Sequence, residues 1–168
     1  MPEKFSRYFL KTKKAEAILG KASEELKVDL KKFSDAKSNV ELIQTEFAEI
    51  YLINGKSSFA RVQGSIFPTL TFGEYSALLP KVVVNMGAVP HVCNGANIMA
   101  PGIVRFEGEF KEDEFILVLD EKYGKPIAIG KVIYDSEAAR KAVHGIVVKN
   151  IHHVGDRVWN FIKSLKAE

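Results

Sequence analysis

The sequence predicts an α+β protein of two domains, a small N-terminal α+β domain followed by a β-rich C-terminal one. Three observations carry that expectation. Apolar residues between Thr12 and Leu30 recur at helical spacing. From Val40 the pattern changes to strand-length runs arranged around an Asn54-Gly55 pair. From Lys81 onward, short apolar runs alternate with turn residues, the pattern of a small barrel or sandwich.

Taken in order, residues 4–10 read as a short strand. Thr12 is placed to cap a helix running to about Leu30, with Ala15, Ile18, Leu19, Ala22, Leu26 and Leu30 on one apolar face. Gly20 weakens that helix slightly. Lys11, Lys13, Lys14 and Lys21 suit a solvated helix surface better than an RNA contact. Residues 40–47 and 50–53 are rich in β-branched and aromatic side chains, and Asn54-Gly55 supplies the two positive φ angles of a type I′ hairpin turn. The return strand is expected over 59–63. Phe67-Pro68-Thr69-Leu70 then leads into a short helix near 74–78, closed by Pro80.

The second domain opens with an apolar strand over 82–85. Residues 87–94 hold at most one or two helical turns, and Gly95 and Gly102 bracket an apolar segment. Strands are expected over 103–106, 115–119, 127–133 and 146–151, with Tyr123-Gly124-Lys125-Pro126 as a turn. Ser136 is placed to cap a short helix over 137–143, with Gly145 beyond its end. A last strand is expected over 157–162, including Trp159 as a core residue rather than a stacking platform. The expected domains are thus residues 1–78 and 79–168.

Composition narrows the function. A chain of 168 residues with 46% hydrophobic and 27% charged residues is ordinary for a soluble globular protein. No run approaches the roughly 20 apolar residues of a membrane span. The N-terminus lacks the pattern of a signal peptide, so a cytoplasmic location is expected. Cys93 is the single cysteine, which excludes an internal disulfide and agrees with a reducing compartment.

Net charge is only +3, but the charge is unevenly placed. Residues 81–168 hold 12 Lys and Arg against 11 Asp and Glu, and seven of those acids fall between Glu107 and Glu121 beside one base, Lys111. The remainder of that half carries 11 basic and 4 acidic residues. If the acids fold to one side, the other face is positive enough for phosphate. Otherwise the charges are simply solvated.

Catalytic signatures are missing. There is no phosphate loop ending in Gly-Lys-Ser/Thr, no dinucleotide fingerprint and no Gly-x-Ser-x-Gly elbow. His91, Cys93, His152 and His153 are too few and too scattered for a zinc site, and a lone Cys in an apolar segment is normally a small core residue. No catalytic residue, metal or cofactor is expected, and the chain does not read as an enzyme.

The segment that stands out runs from Asn85 to Arg105. Gly87, Gly95 and Gly102 either shape tight turns in a bent sheet or let an RNA backbone approach closely. Gly87-Ala88 followed by Gly95-Ala96-Asn97-Ile98-Met99-Ala100-Pro101-Gly102-Ile103 closely resembles the signature of the PUA domain, named for pseudouridine synthases and archaeosine transglycosylases. The closing run from Val148 to Asp156, with Trp159, resembles that domain's C-terminal strands. Leu10-Lys11-Thr12 and Phe67-Pro68-Thr69-Leu70 resemble the N-terminal domain of the malignant T-cell amplified sequence family, an arrangement shared by ligatin.

The resemblance implies a pre-PUA domain joined to a PUA pseudo-barrel, of a size that suits a free-standing archaeal version. It implies a non-catalytic protein that binds structured RNA, tRNA or rRNA. Its role would lie at the small ribosomal subunit or with initiator tRNA, helped by a separate translation-factor partner. The alternative is an RNA-docking subunit acting in trans for a tRNA- or rRNA-modifying enzyme. Carried onto this chain, the RNA contacts are Gly87, Ala88, Gly95, Ala96, Asn97, Met99 and Gly102. Charge and proximity add Lys81, Arg105 and Lys149. His152 aligns with a usual histidine of the family and suits a structural hydrogen bond at least as well as an RNA contact.

Overall fold

Helix α1 (Thr12–Leu26) buries the stripe that its spacing marks, Ile18, Leu19, Ala22 and Leu26. The computed structural model describes residues 4–33 and 39–166, and the chain divides into two compact units between Glu74 and Tyr75. Thr12 proves to be the first helical residue rather than the cap; Lys11 holds the cap position without a side-chain hydrogen bond. The helix also stops four residues earlier than the spacing suggests. Lys27 turns into the left-handed region at φ +56°, and its N–H bonds back to the carbonyls of Glu24 and Ser23. Leu30 is still buried, but it begins a separate 3-10 turn (Leu30–Phe33) whose first N–H donates to Ser23 Oγ at 3.1 Å.

The first unit carries a five-stranded antiparallel sheet in sequence order: β1 (Phe5–Phe9), β2 (Val40–Thr45), β3 (Glu49–Ile53), β4 (Lys56–Val62) and β5 (Ser65–Pro68). Asn54 and Gly55 have φ +52° and +80°, as a type I′ turn requires. Gln63 and Gly64 repeat the device at +50° and +84°, making a second tight hairpin. That hairpin places Phe67 and Pro68 inside strand β5, where the sequence suggested only a lead-in. Helix α1 packs on β5. The short helix α2 (Gly73–Ser76) is a single turn.

The second unit contains β6 (Lys81–Val84), α3 (Val89–Val92), β7 (Ile98–Met99), β8 (Ile103–Glu107), β9 (Phe115–Asp120), β10 (Pro126–Val132), α4 (Ser136–Lys141), β11 (Ile146–His153) and α5 (Arg157–Lys166). Its sheet has the order β7-β11-β10-β9-β6-β8, with β6 and β9 parallel and the other pairs antiparallel. The two edge strands, β7 and β8, are consecutive in sequence and separated only by the 3-10 turn Ala100–Gly102. Six strands lying flat would set those edges about 24 Å apart. Four extended residues span at most about 14 Å. The sheet therefore curls on itself into a half-barrel around a core of Val82, Val84, Ile98, Ile116, Val118, Ala128 and Val148.

Three further sequence expectations change. The two-residue strand β7 was hidden in the apolar segment between glycines. Helix α4 is capped by Asp135, whose carboxylate accepts from the Ala138 N–H at 2.9 Å, and Ser136 is its first residue. The strand expected over 157–162 is helix α5. Val158, Phe161 and Ile162 are buried at three- and four-residue spacing, and Asp156 accepts from the Trp159 N–H at 2.7 Å. Trp159 is half-buried, with Lys163 Nζ 5.3 Å from its ring centroid. No helix among the described residues is long and apolar enough to cross a membrane.

Gly130 in β10 shows how tightly the curl is built. It sits where the β10–β11 register shifts, and a Cβ there would overlap Val148 Cγ1 and stand 2.8 Å from the Lys149 carbonyl oxygen. Gly20, by contrast, has open space around it on the exposed side of α1. Gly130→Ala is expected to destabilise by about 1–3 kcal/mol, whereas Gly20→Ala should stabilise by about 0.5–1 kcal/mol. Denaturant midpoints of the two variants check both; equal shifts would refute the close-approach account of Gly130.

Candidate nucleic-acid interface

The chemistry-bearing residues of the second unit gather where β6 leads through α3 into β7. Asn85 starts the turn: its N–H donates to the Gly102 carbonyl at 2.9 Å, and its side-chain oxygen accepts from the Ala88 N–H at 2.9 Å. Gly102 is small for a reason, since a Cβ there would lie 3.2 Å from Ala88 Cβ. At the other end of α3, Gly95 adopts φ +94°, its N–H bonding to Val92 and that of Ala96 to His91. These backbone donors are thus consumed by the turn rather than offered to a ligand.

Asn150 on β11, to which no motif in the sequence assigns a role, fixes this loop to the sheet. Its side-chain nitrogen donates to the carbonyls of Val92 at 3.0 Å and Ala96 at 2.9 Å, while its own N–H donates to Asn97 Oδ1 at 2.9 Å. One side chain thereby ties α3, the Gly95 loop and the start of β7 to one strand. His153 is the second neighbour that was overlooked; a Cβ on Gly95 would lie 3.4 Å from its Nε2. Strand alternation alone does not say which polar residue reaches across.

Around this frame Gly87, Gly95, Ala96, Asn97 and Met99 are exposed, and Ala88 and Gly102 are half-buried. Lys149 is exposed on β11, the residue before Asn150, and strand alternation turns the two side chains to opposite faces. It lies directly opposite Lys131 on β10, and Lys131 in turn sits over the Phe115 ring at 4.9 Å. Two like charges facing each other across a ladder are unfavourable by roughly 0.2–1 kcal/mol.

Two predicted residues stand apart. Lys81 lies at the opposite end of β6, about 10 Å along the strand from the turn, and its ammonium donates to the Ala77 and Leu79 carbonyls. Arg105 is on the edge strand β8 and pairs with Glu107 at 3.1 Å.

The remaining candidates have structural surroundings. His152 is fully buried and its Nδ1 meets Asp156 Oδ2 at 2.7 Å. Burial works to raise the Asp156 carboxyl, but the His152 hydrogen bond and charge, with the Trp159 and His153 N–H groups, outweigh it and hold the carboxyl below its ordinary value. Cys93 is half-buried, and burial pushes its thiol up, so little thiolate forms at neutral pH. No three His, Cys, Asp or Glu side chains converge among the described residues as a metal site would need.

The comparisons with known proteins follow the two units. The PUA domain matches residues 80–154, and a domain of unknown function, DUF1947, matches residues 6–74. An uncharacterized protein of Methanocaldococcus jannaschii is 35% identical over 92% of this chain and 96% of its own length. Translation machinery-associated protein 20 of Eremothecium gossypii is 29% identical over 74% of each chain. Malignant T-cell-amplified sequence 1 of Rattus norvegicus is 31% identical over 68% of this chain and 66% of its own. Among solved structures, a hypothetical protein of Pyrococcus horikoshii aligns with TM-score 0.72 and 34% identity over 92% of this chain and 98% of that one. A PUA-domain protein of Aeropyrum pernix, solved with tartrate, aligns with TM-score 0.80 and 24% identity over 95% and 92%, a likeness of fold alone.

Because the Asp156 carboxyl titrates lower in the folded chain than in the unfolded one, its contribution to stability is present above the ordinary carboxylate range. It is lost as pH falls through the lowered value. Asp156→Asn should therefore cost about 1–3 kcal/mol at pH 7, with the gap to the native chain closing as pH drops below about 4. Denaturant midpoints across pH check this, and a gap that stays constant to acid would remove the charge from the account.

Proposed function

The chain belongs to the family that joins a DUF1947 domain to a PUA domain, with the translation machinery-associated protein 20 and malignant T-cell-amplified sequence proteins as homologues, and from that premise we propose that it is a non-catalytic RNA-binding protein of the translation apparatus. The observation that carries the reading is the surface built by Asn150. A strand amide ties the Gly95 loop to β11 and leaves Gly87, Gly95, Ala96, Asn97 and Met99 exposed, while Lys149 is exposed on the same strand. With the Ala88, Gly95 and Ala96 N–H groups used internally, this surface keeps few backbone donors to read base edges with. It suits recognition of a folded RNA by shape, through close approach at the glycines and a phosphate contact at Lys149. Tightly structured tRNA or rRNA fits that mode, and a name shared with translation machinery among its relatives directs the reading to the small ribosomal subunit or initiator tRNA. A cytoplasmic site of action and a separate translation-factor partner follow from the same reading.

The raised thiol of Cys93 and its half-buried position favour a packing role over a nucleophilic one, in keeping with a protein that binds rather than converts RNA. The opposed Lys131–Lys149 pair belongs to the same reading, since a polyanion relieves a repulsion that the free protein tolerates.

Lys149→Glu should separate binding from folding. It replaces a like-charge pair with an opposite-charge one, so the denaturation midpoint should hold or rise by about 0.2–1 kcal/mol. RNA affinity should nonetheless fall several-fold, with a shallower dependence on salt. Binding titrations against tRNA and rRNA fragments at several salt concentrations read both effects. Native affinity in the variant would place the RNA face elsewhere. Recovery of a modification enzyme, rather than ribosomal subunits, with the native protein would replace the translation reading.

A further inference from the structure

His153 closes β11 beside the buried His152 but shares a face with Asn150 instead. Gly130 stands opposite Asn150 and Ala128 opposite His153, with the register shift absorbing the extra residue on β11. Residues two apart on β10 point the same way, so their partners Asn150 and His153 do too. Both therefore turn toward the Gly95 loop, and a Cβ on Gly95 would lie 3.4 Å from His153 Nε2.

The orientation and the tautomer of this histidine are fixed by its neighbours. Its N–H donates to Asp156 Oδ2 at 2.9 Å, and its carbonyl accepts from the Asp156 N–H at 3.1 Å. Ring atom Nδ1 stands 2.9 Å from the Val154 carbonyl oxygen. A carbonyl oxygen only accepts, so in the neutral ring the proton sits on Nδ1. Nε2 then carries a lone pair and no hydrogen. It bonds to none of the described residues, and it is not enclosed, since the ring is half-buried beside an exposed glycine.

The chemistry of an RNA strand limits what can meet such an atom. Phosphate and ribose ring oxygens only accept, so they repel a bare lone pair. The ribose 2′-hydroxyl is the backbone group that donates, and DNA lacks it. A backbone drawn close at Gly95 therefore meets His153 most favourably through that hydroxyl.

We propose that His153 Nε2 accepts a hydrogen bond from a ribose 2′-hydroxyl beside Gly95, and that this contact selects RNA over DNA. The inference rests on the RNA-binding reading above and adds recognition of the sugar. The contact joins neutral groups and releases no counterion, so the preference it confers is independent of salt, unlike a phosphate contact at Lys149.

The test titrates the full-length protein with a tRNA transcript and with the same sequence carrying 2′-fluoro ribose throughout. Fluorine keeps the A-form sugar pucker but cannot donate. The native protein should bind the hydroxyl transcript roughly three- to tenfold more tightly, at low and high salt alike. His153→Phe keeps a flat ring without the acceptor and should abolish that preference by weakening binding to the hydroxyl transcript alone. Should the variant misfold by circular dichroism, nitrogen NMR of the native protein decides. The free ring should carry its proton on Nδ1, and the Nε2 resonance should move on adding the hydroxyl transcript but not the fluoro one. A proton on Nε2, equal native affinity for both transcripts, or a preference that survives in the folded variant overturns the His153 contact and leaves the RNA-binding reading standing. Failure of the native protein to bind either transcript overturns both.

Discussion

The three-residue turn Ala100–Gly102 is the constraint on which the rest of the second unit depends. It joins the two outer strands of a six-stranded sheet, and no flat sheet of that width can satisfy so short a tether. Curvature must come from the strands themselves, and it does. Register shifts interrupt β6–β8, β9–β10, β10–β11 and β7–β11, whereas the flatter demands of the first sheet leave one such irregularity. Gly130 lies at one of these shifts, at a place where the neighbouring strand comes too near for any side chain. Removing the tether would let the sheet open and would free the surface that Asn150 holds.

The Asn150 surface and the open edge at β8 are both consequences of the same turn. On one side of it, β7 is only two residues long, so the segment before it cannot be held by a ladder and is held by Asn150 instead. A loop pinned by a side chain keeps its shape while leaving its outer face bare. On the other side, β8 is an edge strand with an uncovered flank, and α4 closes that flank only in part. Edge strands invite pairing with foreign chains. Here charged Arg105 and Glu107 occupy the edge, which discourages a strand.

How much of this was legible in the sequence follows from the range of each interaction. Helix α1, the Asn54-Gly55 hairpin and the apolar strands rest on local periodicity and turn chemistry, and they read directly. Strand β5 went unseen because Gln63 is not an ordinary residue for positive φ, so the second hairpin carried no familiar sign. Helix α5 was mistaken for a strand because Trp159 and its apolar neighbours resemble a β run. The i, i+3, i+4 spacing of Val158, Phe161 and Ile162 and the capping Asp156 were the better guide. The glycine cluster was legible through its resemblance to a family, but the reason for each glycine was not. Gly102 answers to Ala88, fourteen positions away, and Gly95 to a backbone φ of +94° that the turn after α3 requires. Asn150 was invisible for the same reason, since its partners lie more than fifty residues upstream.

The charge pattern shows why a net value of +3 says so little about a nucleic-acid partner. The acids between Glu107 and Glu121 mostly have internal work. Glu114 accepts from the Lys111 N–H, Glu121 from Met86, and Asp120 from Tyr123 and Lys125, whose N–H groups hold the Asp120 carboxyl below its ordinary range. Glu107 and Glu109 are matched to arginines. Acids so committed complete turns and edges, and none of these hydrogen bonds or ion pairs is to Lys131 or Lys149. Where those two lysines oppose each other, the sheet carries a repulsion that a Lys-to-Glu change at either position would relieve. A rule broken locally, next to a loop held rigid and bare, is where a polyanion gains most: it removes the repulsion and meets a surface that needs no rearrangement to receive it.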